Sequence, residues 1–288
     1  EAFYKNPANL KTIAKNHILR RTKKAVGINL PPLREHVVSQ SWVDAGEHDL
    51  AMRIHEQTYL QPSSGQSSSD IIPELGPNRL TMMIRARQVC VCPPLLLPKL
   101  REIAQDQDQA QDEADTHIAG AHAHSKITAA AELITHRVRS QSTAALAFCS
   151  FKGEIEALKM GLEEEGLSVA VLDGRTNQKT RQALLTATNH DVLILQIQTG
   201  CEGLNLQHYS EIFFLAPHWN PATEEQSIAR AHRLGQTKTV HVHRFIMEDF
   251  SDKTRSIETY VTEKQEAKRN LFAELDETIQ EASVPAAQ

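Results

Sequence analysis

The chain predicts an α/β fold: a parallel sheet with helices on both faces, preceded by a mainly helical connector and insertion. Three observations carry this. From about residue 126, short apolar runs alternate with segments of helical periodicity, the pattern of a sheet wound with crossover helices. The run Val192–Ile197 is apolar but for Gln196, as in a strand buried on both faces. Upstream, residues 41–105 show apolar positions at helical spacing instead.

The elements follow in order. Residues 1–40 read as the tail of one unit leading into a connector. A helical insertion at 41–125 opens with Trp42, Val43, Leu50, Met52 and Ile54 at helical spacing. Residues 62–69, Pro-Ser-Ser-Gly-Gln-Ser-Ser-Ser, form a loop by composition. Residues 79–105 are helical and broken at Pro93-Pro94, where the ring removes a donor and clashes with the preceding turn. Residues 105–124, biased to Gln, Asp, Ala and His, read as a mobile or loosely helical insertion. The main unit, 126–250, begins with a helix at 127–138 and a strand at 144–149. A helix at 154–165 puts Ile155, Leu158 and Leu162 on one face and ends at Gly166. A strand at 168–172 ends at Asp173-Gly174, and Thr176 or Asn177 caps the next helix. Strands follow at 191–197, 211–216 and 239–246. Residues 251–273 form a long polar helix within a C-terminal helix and tail, 251–288.

The 288 residues are 40% hydrophobic and 23% charged, enough for one good core and a smaller second unit. No apolar run approaches the length of a membrane span, and no apolar signal segment opens the chain. A soluble, intracellular protein without a membrane partner is expected. The first residue is Glu1 rather than Met, which reads as a fragment of a longer protein. The four cysteines, 90, 92, 149 and 201, include no Cys-x-x-Cys pair, so free thiols are expected rather than a zinc site. Net charge is −5, but it is uneven. Basic residues gather at 15–24 and 230–244, and acid at 102–115, 163–165 and the C-terminus, so a local basic groove on an acidic body is expected.

The chemistry concentrates in two segments. Residues 224–236, Glu-Glu-Gln-Ser-Ile-Ala-Arg-Ala-His-Arg-Leu-Gly-Gln, space Gln226, Arg230 and Arg233 by four and three. On a helix this places them on one face. Two guanidinium forks on one face suit a polyphosphate, because they match its oxygens and stay charged at any working pH. Upstream, the strand at 192–197 feeds a turn with Gly200 and Gly203, where backbone can approach a ligand closely. Ligands of such sheets meet the carboxyl ends of the strands, where this turn and Asp173-Gly174 both lie. Asp112-Glu113-Ala114-Asp115 spells a DEAD box but follows a polar run that no strand would bury, so it reads as coincidence. His232, His241 and His243 lack a carboxylate or cysteine to complete a metal site, and no metal is assigned to this chain. No Gly-x-x-x-x-Gly-Lys-[Ser/Thr] occurs in the 288 residues, so they contain no phosphate cradle of that kind.

These segments carry a family resemblance. Gln-Thr-Gly-Cys-Glu-Gly-Leu-Asn-Leu, then Trp-Asn-Pro, then Gln-Ser-Ile-Ala-Arg-Ala-His-Arg-Leu-Gly-Gln resemble, in order and spacing, the second RecA-like lobe of Swi/Snf-type ATPases. These are helicase-like DNA translocases of superfamily two. Gly-Leu-Asn-Leu resembles motif V and the arginine helix motif VI. Residues 17–32, with Leu-Arg-Arg-Thr-Lys and Leu-Pro-Pro, look like the end of the first lobe. Residues 87–94 are similar to the family's Arg-Gln-x-Cys-x-His-Pro, with Cys92 in place of His, and 172–181 to its Leu-Asp-Gly-x-Thr…Arg. The cysteine spacing excludes the RING finger of one DNA-repair branch.

The resemblance implies a RecA-like sheet and a DNA-dependent ATPase of chromatin-remodelling or DNA-repair type, nuclear, of which this chain alone is inactive. ATP with Mg2+ would sit between this lobe and the first RecA-like lobe, which supplies the cradle and the acidic motif and holds the metal. Arg230 and Arg233 would be arginine fingers, with Gln226, Gly203 and Gly235 at the nucleotide. Ser150, Arg175, Thr176, Arg181, Thr199, Gly200, Asn205 and Trp219 would touch double-stranded DNA, free or on nucleosomes; Trp219 reads equally as a core anchor. In the motif V turn, Gln196 and Gln198 replace the usual small hydroxyl and basic residues, and Glu202 adds negative charge. Two alternatives stay open: a lobe that docks DNA or a partner without turnover, and an RNA helicase lobe.

Overall fold

The computed structural model describes residues 27–59, 72–76, 78–106, 111–186, 190–200 and 204–283. The basic cluster expected at 15–24, the loop at 62–69 and Gly203 lie outside these residues. Six parallel strands form one sheet. They are β1 Leu33–Gln40, β2 Ala145–Cys149, β3 Val169–Leu172, β4 Val192–Gln196, β5 Glu211–Phe214 and β6 Val240–Met247, in the order β1-β6-β5-β2-β4-β3.

Strand β1 corrects one expected boundary. Residues 33–40, assigned from sequence to the connector, pair along their whole length with β6, Leu33 opposite Val240 through Gln40 opposite Met247. Their side chains are mostly exposed, so no apolar pattern marked them as part of the sheet.

The central strands have two buried faces, which is why they read as unbroken apolar runs. Ala145, Ala147, Cys149, Val192, Ile194 and Phe213 point to one side, against helices α5 Ser125–Gln141 and α6 Lys152–Glu164. Leu146, Phe148, Leu193, Leu195, Ile212 and Phe214 point to the other, against Ile228 and Ala231 of helix α9 Pro221–Ala231. The period of two along each strand produces this division.

A helical layer has its own core. It comprises α1 Ala45–Tyr59, α2 Arg79–Val91, α3 Leu97–Asp106 and α4 Gln111–Gly120. Leu50, Ile54, Val89, Leu96 and Leu100 are fully buried there, together with Met247 of β6 and Ile257 and Val261 of the last helix, α10 Ile257–Ser283. Each such side chain contributes about 1.5–3 kcal/mol by leaving water. The C-terminal helix, expected at 251–273, thus starts later and closes the insertion's core. Trp42 and Val43 precede α1 rather than joining it, because Asp44 Oδ1 accepts the Glu47 N–H at 2.8 Å and starts the helix at Ala45. The Trp42 indole instead donates to the Glu248 carbonyl at 3.2 Å.

One buried ion pair joins the layers. Lys126 Nζ of α5 meets both Glu258 carboxylate oxygens of α10 at 2.5 and 2.6 Å and donates to the Leu215 carbonyl at 2.9 Å. Both side chains are at most 2% exposed. Glu258 also accepts the Met247 N–H at 2.8 Å. Removing either partner would strand a charge in the interior, at a cost of about 3–5 kcal/mol.

Candidate functional site

The residues singled out from sequence divide between the two edges of the sheet. At the carboxyl edge, Ser150 follows β2. Its N–H and that of Phe151 both donate to Glu154 Oε2 at 2.8 Å, so Glu154 caps the start of α6. Burial pushes the Glu154 carboxyl up to about 7 against those hydrogen bonds. The Ser150 hydroxyl faces the Arg87 guanidinium of α2 at 3.4 Å, which also reaches the Pro217 carbonyl at 3.4 Å.

After β3, Asp173 organises the turn. Its N–H donates to Thr176 Oγ1 at 3.1 Å, and it accepts the Arg175 N–H at 2.9 Å. The Arg175 guanidinium lies 2.6 Å from Asp173 and 3.3 Å from Glu156. Burial raises the Asp173 carboxyl, but the hydrogen bonds from Arg175 outweigh it and hold the group below its usual range. Arg175 therefore already has two carboxylate partners, and Thr176 is a turn residue. Asn177, rather than Thr176, caps the next helix, α7 Gln178–Thr186, accepting the Thr180 N–H at 2.9 Å. Arg181 lies half-buried on that helix.

After β4, the expected open turn begins as one helical turn, α8 Ile197–Gly200, which carries Thr199 and Gly200. Strand β4 accordingly ends at Gln196, one residue earlier than expected, and Gln196 Oε1 accepts the Gly174 N–H at 3.4 Å, tying the β3 and β4 ends together. Asn205 is exposed. After β5, Trp219 packs half-buried against the helical layer, edge-on to Tyr260 with ring centroids 6.4 Å apart.

The arginine segment starts at this edge and finishes at the other. Asn220 caps α9 by accepting the Ala222 N–H at 3.2 Å, and Pro221 takes the first helical position, where no N–H is missed. The helix carries exposed Gln226 and half-buried Arg230 and ends at Ala231. Arg233 is thus not on the helical face shared by Gln226 and Arg230. It is exposed in the turn beyond, where its N–H donates to the Ala231 carbonyl at 3.1 Å. The helix stops because the His232 N–H takes the last intrahelical bond, to Ile228, while its ring reaches back to the Pro31 carbonyl at 2.8 Å.

Gly235 has φ +97°, and a Cβ there would meet Gln207 Oε1 at 2.7 Å, so the turn needs glycine on both counts. Gln236 is buried and donates to the Gln207 and Tyr209 carbonyls, both at 2.9 Å, while the Leu206 N–H donates to the Arg230 carbonyl at 3.1 Å. The motif V-like and motif VI-like segments are therefore stitched directly together.

Two structural residues escaped the sequence reading. Glu224, in the first turn of α9, is fully buried. It accepts the His218 N–H at 2.8 Å, Gln265 Nε2 at 2.6 Å and Arg244 Nε at 3.0 Å. Gln236 is the other. A lone acid in a polar helix, or a lone amide in a polar turn, carries no signal of burial, since its partners come from other segments of the chain. His241 and His243 do share a strand face, but His243 pairs with Glu211 at 3.0 Å, a carboxylate that Arg137 also grips at 2.6 and 3.0 Å. Hydrogen bonds from His243 and Arg137 hold Glu211 below its usual range despite burial, which raises it.

A parallel α/β sheet whose crossover segments carry stitched glycine and arginine motifs defines a RecA-like helicase lobe. Residues 125–235 match the helicase conserved C-terminal domain family. The DNA repair protein RAD5A of Arabidopsis thaliana is 36% identical over 127 residues, 43% of this chain and 12% of that protein. The human helicase-like transcription factor is 30% identical over 189 residues, 63% of this chain and 17% of that protein. The crystal structure of the C-terminal part of the Fun30 ATPase domain superposes with a TM-score of 0.62 at 17% identity. It covers 88% of this chain and 98% of that one, a likeness of fold. Residues 125–235 thus carry a helicase conserved C-terminal domain, and the chain is similar over part of its length to DNA repair and helicase-like proteins. No helix among the described residues is long and apolar enough to cross a membrane.

Proposed function

We propose that this lobe is half of a DNA-dependent ATPase motor that works in the nucleus on double-stranded DNA, free or on nucleosomes. The observation that carries the reading is the turn at 232–236. Gly235 and Gln236 hold it against the motif V-like segment, with Arg233 turned to solvent beside half-buried Arg230. Two guanidinium groups three residues apart, one on the last turn of α9 and one in the turn beyond, suit the phosphates of ATP, with Mg2+ held by a first RecA-like lobe. When bound, the nucleotide supplies the phosphoryl group and the metal neutralises charge on it. This chain's part is to place Arg233 and Arg230 against charge that grows during transfer, with Gln226 orienting the nucleotide. The carboxyl-edge residues Ser150, Thr199, Gly200 and Arg181 would follow the DNA backbone through hydroxyl, N–H and guanidinium contacts, which position the protein without reading sequence.

The test is Arg233→Ala in the complete protein that contains this lobe. An arginine finger acts on the transition state, so kcat for DNA-stimulated phosphate release should fall about 10³-fold with KM nearly unchanged. Nucleotide affinity falling in step with rate would instead mark a ground-state contact. The chain by itself should release no phosphate with duplex DNA present.

A further inference from the structure

From the position of Glu224 we infer that Gln265 and Glu224 are positioning residues through which the C-terminal helix sets the arginine turn; this rests on the function proposed above. Helix α9 is the only covalent link between the carboxyl end of β5 and the Arg230–Arg233 segment. Its first turn is held by side chains from elsewhere. Glu224 receives Gln265 from α10 and Arg244 from β6 on its two oxygens. Gln265 is itself buried and also donates to the His218 carbonyl. Lys268, one turn further along α10, donates to the Trp219 carbonyl at 3.0 Å. Arg269 approaches Glu224 at 3.8 Å and Glu225 at 3.6 Å.

Arg244 extends the chain of contacts. Its second nitrogen donates to Glu35 of β1 at 2.9 Å. Two elements distant in sequence from its first turn, β6 and α10, thus converge on one carboxylate of the arginine helix, and β1 braces the Arg244 that β6 supplies. Gln265 shares Oε1 of Glu224 with the His218 N–H while Arg244 holds Oε2, so losing Gln265 removes one of the donors that a buried carboxylate needs. The register of α9 is accordingly tied to the seating of α10. A rigid helix transmits a shift of its first turn to its last, and a displacement near 1 Å at a catalytic group costs up to about 10²-fold in rate.

The experiment uses Gln265→Met, which keeps length and removes the donor, with Glu263→Ala as a control on the exposed face of α10, where Glu263 pairs with Arg255. Hydrogen exchange is measured on the 288-residue chain, and steady-state hydrolysis on the complete protein. In Gln265→Met, amides 222–231 should exchange at least about tenfold faster while β2 and β4 keep their protection. The kcat should fall about tenfold with KM within about twofold. Glu224→Gln should act in the same direction and more strongly, and Glu263→Ala should change neither readout. Unchanged exchange at 222–231 overturns the coupling. Faster exchange with an unchanged kcat, while Arg233→Ala still abolishes hydrolysis, overturns the positioning role and leaves the proposed function standing. If Arg233→Ala hydrolyses normally, the proposed function falls and the positioning role falls with it, whereas the exchange result still judges the contact between α10 and α9.

Discussion

The carboxyl edge of the sheet and the turn at 232–236 solve the same problem with different chemistry. At the carboxyl edge, backbone N–H groups at strand ends and helix starts are met by buried carboxylates. Glu154 takes two after β2, Asp173 one after β3, Glu224 one after β5 and Glu258 one after β6. Helix N-termini leave such donors free and favour negative charge. Around Gly235 the work is done by a neutral amide, that of Gln236, and by main chain. The difference teaches where charge is already spoken for. Arg175 sits between Asp173 of its own turn and Glu156 of α6, whereas Arg233 is exposed and pairs with no carboxylate among the described residues.

The comparison can be broken at its most buried point. Glu258→Gln should destabilise the chain by about 3–5 kcal/mol, because Lys126 would remain as an uncompensated interior cation. The double variant Lys126→Met with Glu258→Leu should recover most of that loss in denaturant unfolding. A single-variant cost under about 1 kcal/mol would mean that water reaches the pair and that the edge is not built on buried charge.

Titration sharpens it next. The Glu154 carboxyl, raised to about 7 by burial, keeps its proton in the folded chain after the unfolded chain has lost it. Stability from this group is therefore fully present below the ordinary carboxylate range and is lost as pH rises toward 7. The contribution is about 3 kcal/mol between pH 4 and pH 8. Glu154→Gln should flatten the stability profile over that window in equilibrium urea unfolding. Gln236 does not titrate, so its variants should leave the profile's shape alone.

The smallest effect concerns DNA. In a fluorescence-anisotropy salt titration with duplex DNA, Arg181→Ala should lower the log–log slope by about one. Arg175→Ala should change it by less, since Asp173 and Glu156 compete with phosphate for its guanidinium. Equal loss of slope in the two variants would show that those carboxylates release Arg175 when DNA arrives.

Local pattern sufficed wherever a residue's role depends on its neighbours in sequence. The apolar runs at β2, β4 and β5 read as strands because both faces are buried, and no partner had to be known. The break at Pro93-Pro94 appears as a 3-10 turn between α2 and α3, because proline lacks the N–H a continuous helix needs. The helical spacing of Gln226 and Arg230 was equally legible, whereas Gly235 was read as a nucleotide contact and not as the left-handed turn residue that it is. Strand β1 was not, because an edge strand with exposed side chains carries no alternation to detect. The end of α9 before Arg233 was missed because its cap is a contact with Pro31, some two hundred residues earlier in the chain.

The sequence by itself therefore determined the class of fold, the order along the chain of every strand but β1 and the segments that hold the arginines. Those follow from periodicity and short-range sterics, which act over a few residues. Only the tertiary structure decided which polar groups are buried, that among the described residues Arg175 has carboxylate partners while Arg233 does not, and that Glu224, Gln265 and Lys126 bind the layers together. A polar side chain's state is set by whichever donor or acceptor reaches it in space, and for Glu224 with Gln265 and Lys126 with Glu258 the partners lie 41 and 132 residues apart.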